Sequence, residues 1–473
     1  MKSKKLSTVY DAQKFKEFGH ELVDLLSEHL EEANKEETLV QHWKSPAERL
    51  EFWQQYEMDK NSPKAFFQDI LEGSVNIHHA NYMGHQVSPP APLGALASFT
   101  SSLLNNGMAI YEMGAAGTAI EKVVIDDLNQ RIGYDDNSDG YITHGGTLAN
   151  LTALLSARKA MVEKDVWEEG SSEKLGIMVS SEAHYCVDRA VRIMGMGAAG
   201  MIKIPVDKNY AMKTELLEEH YQKAKSDGIR VMAVVGSAPS TSTGMYDDLE
   251  AIADFCEAKK LWFHVDGAHG GAAIFSKKYK HYLKGIHRAD SVVIDGHKML
   301  MTPTIMTFLL FKNKNHSYAT FSQKAVYLLS KKEEEQWYNI AIKSFECTKR
   351  MMSIQFYILF KFYGEEIFDE YVTTLYDLGK ELAGIISTRL NFELAIEPDT
   401  NIVCFRYHPQ GKSKEELNSI NAQLRQQLLE QGKFYIVQTS LKGEVFMRTT
   451  IMNPKTTTKN FELLLDEIEA LAG

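Results

Sequence analysis

Apolar residues recur at helical spacing early in the chain and change to short, nearly continuous runs in its middle. Phe15, Phe18, Leu22, Leu25, Leu26 and Leu30 mark one face of a helix, and charge then takes over in EEANKEE. The stretch NIHHANYMGHQVSPPAPLG mixes Pro, Gly and Asn with aromatics, the composition of an ordered loop. From about Leu93 an apolar helical pattern begins. Strand-like runs follow at YIT (141–143), GIMVS (176–180), GMIKIPV (200–206), VMAVVG (231–236), LWFHV (261–265), SVVID (291–295) and IMTFLLF (305–311). Helical stretches such as TLANLTALLSARKAM and YDDLEAIADFCEAKK separate most of them. Apolar strands alternating with helices predict an α/β fold, a mainly parallel seven-stranded sheet covered on both faces. After the charged loop SKKEEEQ, a helical pattern runs over roughly 345–390, and NIVCFRY, KFYIVQ and EVFMRTTI add the strands of a small α+β domain. The expected division is a helical segment over 1–90, a large domain over 91–345 and a small domain over 346–473.

Composition narrows the function classes. Hydrophobic residues make up 44% and charged residues 24% of the 473, the mix of an ordinary globular protein. The net charge of −11 argues against a nucleic-acid partner, because phosphate contacts need clustered Lys and Arg. No apolar run reaches the roughly 20 residues that span a bilayer, and no secretory signal is expected at MKSKKLSTVYDAQKFKEF. Cys186, Cys256, Cys347 and Cys404 form no CxxC pair, so reduced thiols in a cytoplasm are expected rather than a zinc or disulfide framework.

Four features at predicted strand ends carry chemistry. Gly145, Gly146 and Thr147 in THGGTLAN open a helix whose free amides suit a phosphate. His184 stands near the start of the helix in SEAHYCVDRAVRIMG, and Asp266 closes LWFHVD before the glycine-rich GAHGG. Lys298 follows a strand in ADSVVIDGHKMLMTP, where Met, Leu and Pro predict a neutral, nucleophilic amine. Taken singly, each has a plainer account: a helix cap, a polar cap, a turn aspartate, a snorkelling lysine. Together they match the needs of pyridoxal phosphate, namely a lysine for covalent attachment, an acid for the ring nitrogen, a flat imidazole for the ring face and amides for the phosphate. On this reading Gly267, Gly270 and Gly271 are small because the ring lies against their turn.

The set HVDGAHGG, DGHK and the upstream His184 resembles the group II pyridoxal-phosphate decarboxylases, which act on glutamate, aromatic amino acids, cysteine sulfinate or 2,4-diaminobutyrate. NYMGHQVSPPAP, LLNNGMAIYE, DGYITHGGTLANLTALL, SEAHYCVDRA, ADSVVIDGHKM and FMRTTIMNP fall in that family's order and cover most of the chain. The resemblance implies a fold type I homodimer with active sites at the subunit interface, its N-terminal segment acting as a dimer arm. It implies Lys298 for attachment, Asp266 for the ring nitrogen and His184 for stacking. Gly146, Thr147 and His297 would serve the phosphate, with Ser240 or Thr241 near the ring hydroxyl. Arg448 would meet the substrate carboxylate, and His85 with Gln86 would make the pocket polar. Tyr338 precedes Lys343 and Cys347 at a spacing like that after the loop tyrosine of glutamate decarboxylases, which implies a proton donor there, with Tyr327 the next candidate.

The chain also departs from the family pattern. Met113-Gly114-Ala115-Ala116 stands where many members read Ser-Pro-Ala, SAPSTSTG lacks an Ala-Gly-Thr-Thr form, and Asp295-Gly296 replaces the common Asn-Pro before His-Lys. The expected activity is α-decarboxylation of an L-amino acid to an amine and carbon dioxide. Another pyridoxal-phosphate lyase or an aminotransferase is the alternative within the cofactor class, and a non-catalytic regulatory homologue the alternative outside it. The side chain accepted stays open between acidic, aromatic and diamino acids.

Overall fold

The computed structural model describes residues 4–35, 37–321 and 336–473. They form two compact units, one of Gln86–Asp377 with Pro398–Thr400, the other of Met1–His85, Leu378–Glu397 and Asn401–Gly473. In the first unit the strands are β1 (Asp139–Thr143), β2 (Lys174–Ser180), β3 (Met201–Ile204), β4 (Ile229–Ser237), β5 (Trp262–Asp266), β6 (Ser291–Asp295) and β7 (Thr307–Phe311). They make one seven-stranded sheet in the order β1-β7-β6-β5-β4-β2-β3. Strands β2 to β6 pair in parallel, and β7 runs antiparallel to both its neighbours, β6 and β1. Every predicted strand run of this region lands on one of these strands. β1, β5, β6 and β7 are buried at every position, as strands covered on both faces must be.

Small residues set how closely the helices approach. Ala149, Ala153 and Ala157 repeat one turn apart on the helix Gly146–Met161 and are fully buried in the core beside Val179, Val235 and Leu309. A larger side chain there would overpack the layer, at about 1–3 kcal/mol. Gly114 interrupts the helix Tyr111–Ile132 with non-helical angles, and a Cβ on it would stand 2.9 Å from the Gly107 carbonyl. That packing explains a glycine where the resembling family differs.

The second unit holds a four-stranded antiparallel sheet, β8 (Phe392–Leu394), β9 (Ile402–Tyr407), β10 (Val437–Leu441) and β11 (Glu444–Thr450), in the order β10-β11-β9-β8. The N-terminal segment is tied to it by backbone bonds from Met83 N–H to the Tyr435 carbonyl (2.9 Å), Thr450 N–H to the Met83 carbonyl (2.8 Å) and Val40 N–H to the Gly432 carbonyl (2.8 Å). Three details differ from expectation. KFYIVQ is expected as a strand, yet β10 begins only at Val437 and runs on to Leu441. β8 has only three residues, too few for a periodic signal. The helical pattern over 345–390 is two helices, Ser353–Tyr363 and Glu366–Thr388, parted at Gly364, whose φ of +85° favours glycine. Among the described residues no helix is long and apolar enough to cross a membrane, and no group of three or more His, Cys, Asp or Glu could hold a metal ion.

Candidate active site

The C-terminal ends of β4, β5 and β6 and the starts of two helices enclose a cavity of about 140 Å³. Gly146, Thr147, His184, Thr241, Asp266, His297 and Lys298 all line it. Ser240 does not: its hydroxyl is buried against Thr243 Oγ1 at 2.8 Å. Asp295, Asn150, Cys186, Ser237 and His269 complete the polar part of the lining.

At its head lies the helix Gly146–Met161, preceded by Gly145 at φ +96°. Among the described residues no side chain caps that helix, so its first amides are left for a ligand. A Cβ on Gly146 would stand 3.2 Å from Asp295 Oδ1, so a side chain would crowd this corner. Behind it runs a buried relay. Trp262 Nε1–H donates to Ser291 Oγ (2.9 Å), Ser291 Oγ meets His264 Nδ1 (2.8 Å), His264 Nε2 meets Asn150 Oδ1 (2.8 Å), and Asn150 Nδ2–H donates to the Gly146 carbonyl (2.8 Å). The chain of donors is consistent when neutral His264 carries its proton on Nε2. Burial pushes His264 down to about 4, which keeps it neutral. The helix start is thus anchored to β5 and β6 by satisfied polar groups.

His184 both caps a helix and faces the cavity. Its Nδ1 accepts from Cys186 N–H at 3.3 Å at the start of Tyr185–Ile193, which fixes the ring. Burial lowers its pKa against the opposing pull of Asp266, favouring the neutral imidazole. Asp266 ends β5, its Oδ1 accepting from Ala268 N–H at 3.2 Å. The glycines after it have a different cause from the one expected. A Cβ on Gly267 would lie 2.9 Å from the Val293 carbonyl, on Gly270 2.1 Å from the Tyr246 hydroxyl, and on Gly271 2.7 Å from Ile294 Cγ1. The protein's own packing demands them, while Ala268 and His269 line the cavity.

Lys298 also departs from expectation. Burial pulls its pKa down, but the Asp295 carboxylate at 2.8 Å, helped by Asp266, outweighs that and the net direction is up. The apolar neighbours therefore do not leave the amine neutral in the cofactor-free chain. Asp295 shifts the opposite way: burial would raise it, yet Lys298, His297 and the Thr307 hydroxyl hold it below the usual carboxylate range. Asp295 stands where the resembling family commonly has asparagine. Its signal was the i to i+3 spacing from a strand-ending acid to the lysine.

Other candidates lie elsewhere. Tyr338 is outside the cavity lining and sits in edge contact with Tyr111 (centroids 5.7 Å apart), while Asn339 Oδ1 accepts from Tyr111 N–H. Tyr327 lies outside the described residues. Arg448 and His85 belong to the other unit. Arg448, on β11, is mostly buried, and burial lowers the pKa of its guanidinium. His85 is lowered by burial and then by the Arg448 and Arg425 charges.

The donor set fits pyridoxal phosphate: a lysine, a carboxylate one strand away, a fixed neutral imidazole and uncapped helix amides share one small cavity. Comparison with known proteins agrees. Residues 67–408 match the family model described as the pyridoxal-dependent decarboxylase conserved domain. An aromatic-L-amino-acid decarboxylase of Bacillus atrophaeus is 27% identical over 98% of this chain and 96% of its own. An L-aspartate decarboxylase of Metarhizium robertsii is 30% identical over 85% of this chain and 81% of its own. Among solved structures, the glutamate decarboxylase domain of a diaminobutyrate-pyruvate transaminase and L-2,4-diaminobutyrate decarboxylase from Vibrio parahaemolyticus aligns with a TM-score of 0.85 and 26% identity. That alignment covers 97% of this chain and 95% of the other.

Proposed function

The chain belongs to the pyridoxal-dependent decarboxylase family, using pyridoxal 5'-phosphate to convert an amino acid to its amine and carbon dioxide, and from that premise we propose how its residues divide the work. The observation that carries the reading is the convergence of Lys298, Asp266, His184 and the Gly146-Thr147 helix start on one cavity. When bound, the cofactor supplies the sink for the electron pair left on the α-carbon as carbon dioxide departs. Lys298 attaches the cofactor through its amine. Asp266 would keep a proton on the pyridine nitrogen, and the His184 imidazole would hold the cofactor's ring. The amides at Gly146 and Thr147 would hold the phosphate with His297, while Thr241, which lines the cavity as Ser240 does not, would serve the ring hydroxyl.

Arg448 binds the α-carboxylate of an L-amino acid, supported by the FMRTTIMNP match, and His85 adds a polar wall. Tyr338 donates the proton to the α-carbon, since a phenol stays protonated at neutral pH. The enzyme is a homodimer with its active sites at the interface. Support comes from Leu96, Phe99 and Leu103, exposed along one stripe of the helix Pro92–Leu104, and from exposed Phe15, Val23 and Leu26 on the N-terminal helix Ala12–Glu32. A cytoplasmic setting is inferred from four free cysteines, three of them buried.

Lys298→Ala tests the central assignment. The purified variant should lack the visible absorbance of lysine-bound cofactor and release no carbon dioxide from a panel of acidic, aromatic and diamino acids. A variant that keeps both properties rules Lys298 out. Tyr338→Phe and Tyr327→Phe, assayed for amine against aldehyde product, locate the acid: the one that diverts product to aldehyde is the donor.

A further inference from the structure

Lys298 does not wait in its cavity alone. Asp295, the last residue of β6, stands one turn before it, with Nζ 2.8 Å from Oδ2 and only 3% of the acid side chain exposed. The other carboxylate oxygen accepts from the Thr307 hydroxyl on β7, which fixes the rotamer. On the far side the absent Cβ of Gly146 leaves the space the carboxylate needs. One buried charge is therefore held by a strand, an adjacent strand and a helix start, and it is aimed at the lysine.

We propose that Asp295 is the counter-ion of Lys298, keeping the amine charged and seated while it is free and thereby setting the pH dependence of cofactor capture. The proposal rests on Lys298 being the attachment lysine. The ionisable groups around the amine are Asp295 from β6, Asp266 and then His269 at the end of β5, His184 and Cys186 at the start of the helix Tyr185–Ile193, and His297 on its own turn. Burial keeps the Cys186 thiol and the His184 imidazole neutral, so negative charge reaches the lysine from the two aspartates. Among the described residues only Asp295 is in ion-pair contact, and Asp266 is turned to the Ala268 amide. Asp295 is thus a positioning residue that acts through Lys298.

The consequence is chemical. Attack on an aldehyde forms the carbon–nitrogen bond from the neutral amine and expels the carbonyl oxygen as water. The ammonium first gives a proton to solvent, and an equivalent proton returns to nitrogen as water leaves, so none is consumed. A carboxylate that stabilises the ammonium makes the first step rarer at neutral pH. The asparagine common at this position in the resembling family has the same shape but carries no charge.

The experiment measures capture of pyridoxal 5'-phosphate by the full-length, cofactor-stripped chain, followed by visible absorbance as a function of pH. Asp295→Asn should capture severalfold faster at neutral pH, and its rate should level off at lower pH. Asp295→Glu should restore the wild-type profile. A folded Asn variant with an unmoved profile overturns the proposal. If the Asn variant does not fold, the wild type decides alone, because capture that levels off below about pH 9 shows no stabilised ammonium. Lys298→Ala separates the two readings. Absorbance gained by that variant defeats the lysine assignment, whereas a silent Lys298→Ala beside an unmoved Asn profile defeats only the role of Asp295.

Discussion

Two buried lysines in the same unit meet carboxylates in opposite ways. Lys298 has 17% of its side chain exposed to the cavity, pairs with Asp295, and is shifted upward. Lys349 has 1% exposed, is clamped between Glu121 and the Ile142 carbonyl behind β1, and is shifted downward because burial outweighs its partner. Lys343 is sealed by similar contacts, bonded to Asp139 at 2.6 Å and to the Gly140 carbonyl at 3.2 Å. The difference is room to move. A lysine at a cavity wall can leave its partner for a ligand, whereas one sealed between a strand and an acid ties its own segment to the sheet. Buried charge alone does not mark a catalytic group; access does.

Exchanging the lysines gives the largest expected contrast. Lys298→Ala should abolish turnover and cost less stability than Lys349→Ala, because the Asp295 it leaves behind lines the cavity and keeps its bond from Thr307. Lys349→Ala should strand Glu121 in the core and lose about 3–5 kcal/mol of stability, read by chemical denaturation. If Lys298→Ala unfolds the protein as readily as Lys349→Ala, the two sites are not different in kind.

The acids sharpen the same contrast. Asp266→Asn should slow turnover by roughly 10²–10³-fold, with faster loss of cofactor on dialysis, because it removes a charge aimed at the reacting ring. Normal kinetics and retention would reduce Asp266 to a turn residue.

A smaller effect separates two buried groups with opposite pH behaviour. His264 is held near 4 in the fold against about 6.5 unfolded, so the unfolded chain binds more protons between those values and stability falls as pH drops through that window. The loss is on the order of 3 kcal/mol by pH 4. Asp247 is fully sheltered and raised to about 6, above its unfolded value, so its contribution grows as pH falls from about 6. Stability should therefore decline most steeply just below pH 6.5 and flatten further down. Asp247→Asn should remove the flattening; a profile unchanged by that substitution would discount Asp247 as the opposing group.

What the chain determined by itself is the order of chemistry along a known kind of sheet. Seven apolar runs became seven strands, because strands buried on both faces need no alternation and announce themselves as short hydrophobic blocks. His184, Asp266 and Lys298 were legible for a related reason: polar residues directly after such blocks sit at strand ends, where α/β folds gather ligands. The relay from Trp262 through Ser291, His264 and Asn150 to Gly146 was not legible, since it joins residues over a hundred positions apart in sequence through contacts that only packing creates. Nor was the cause of the glycines after Asp266, which the neighbouring carbonyl, hydroxyl and isoleucine impose. The charge on Lys298 was decided last and by distance alone. Composition around the lysine predicted a neutral amine, but one carboxylate at 2.8 Å outweighs an apolar neighbourhood, because Coulomb attraction rises steeply where water is excluded.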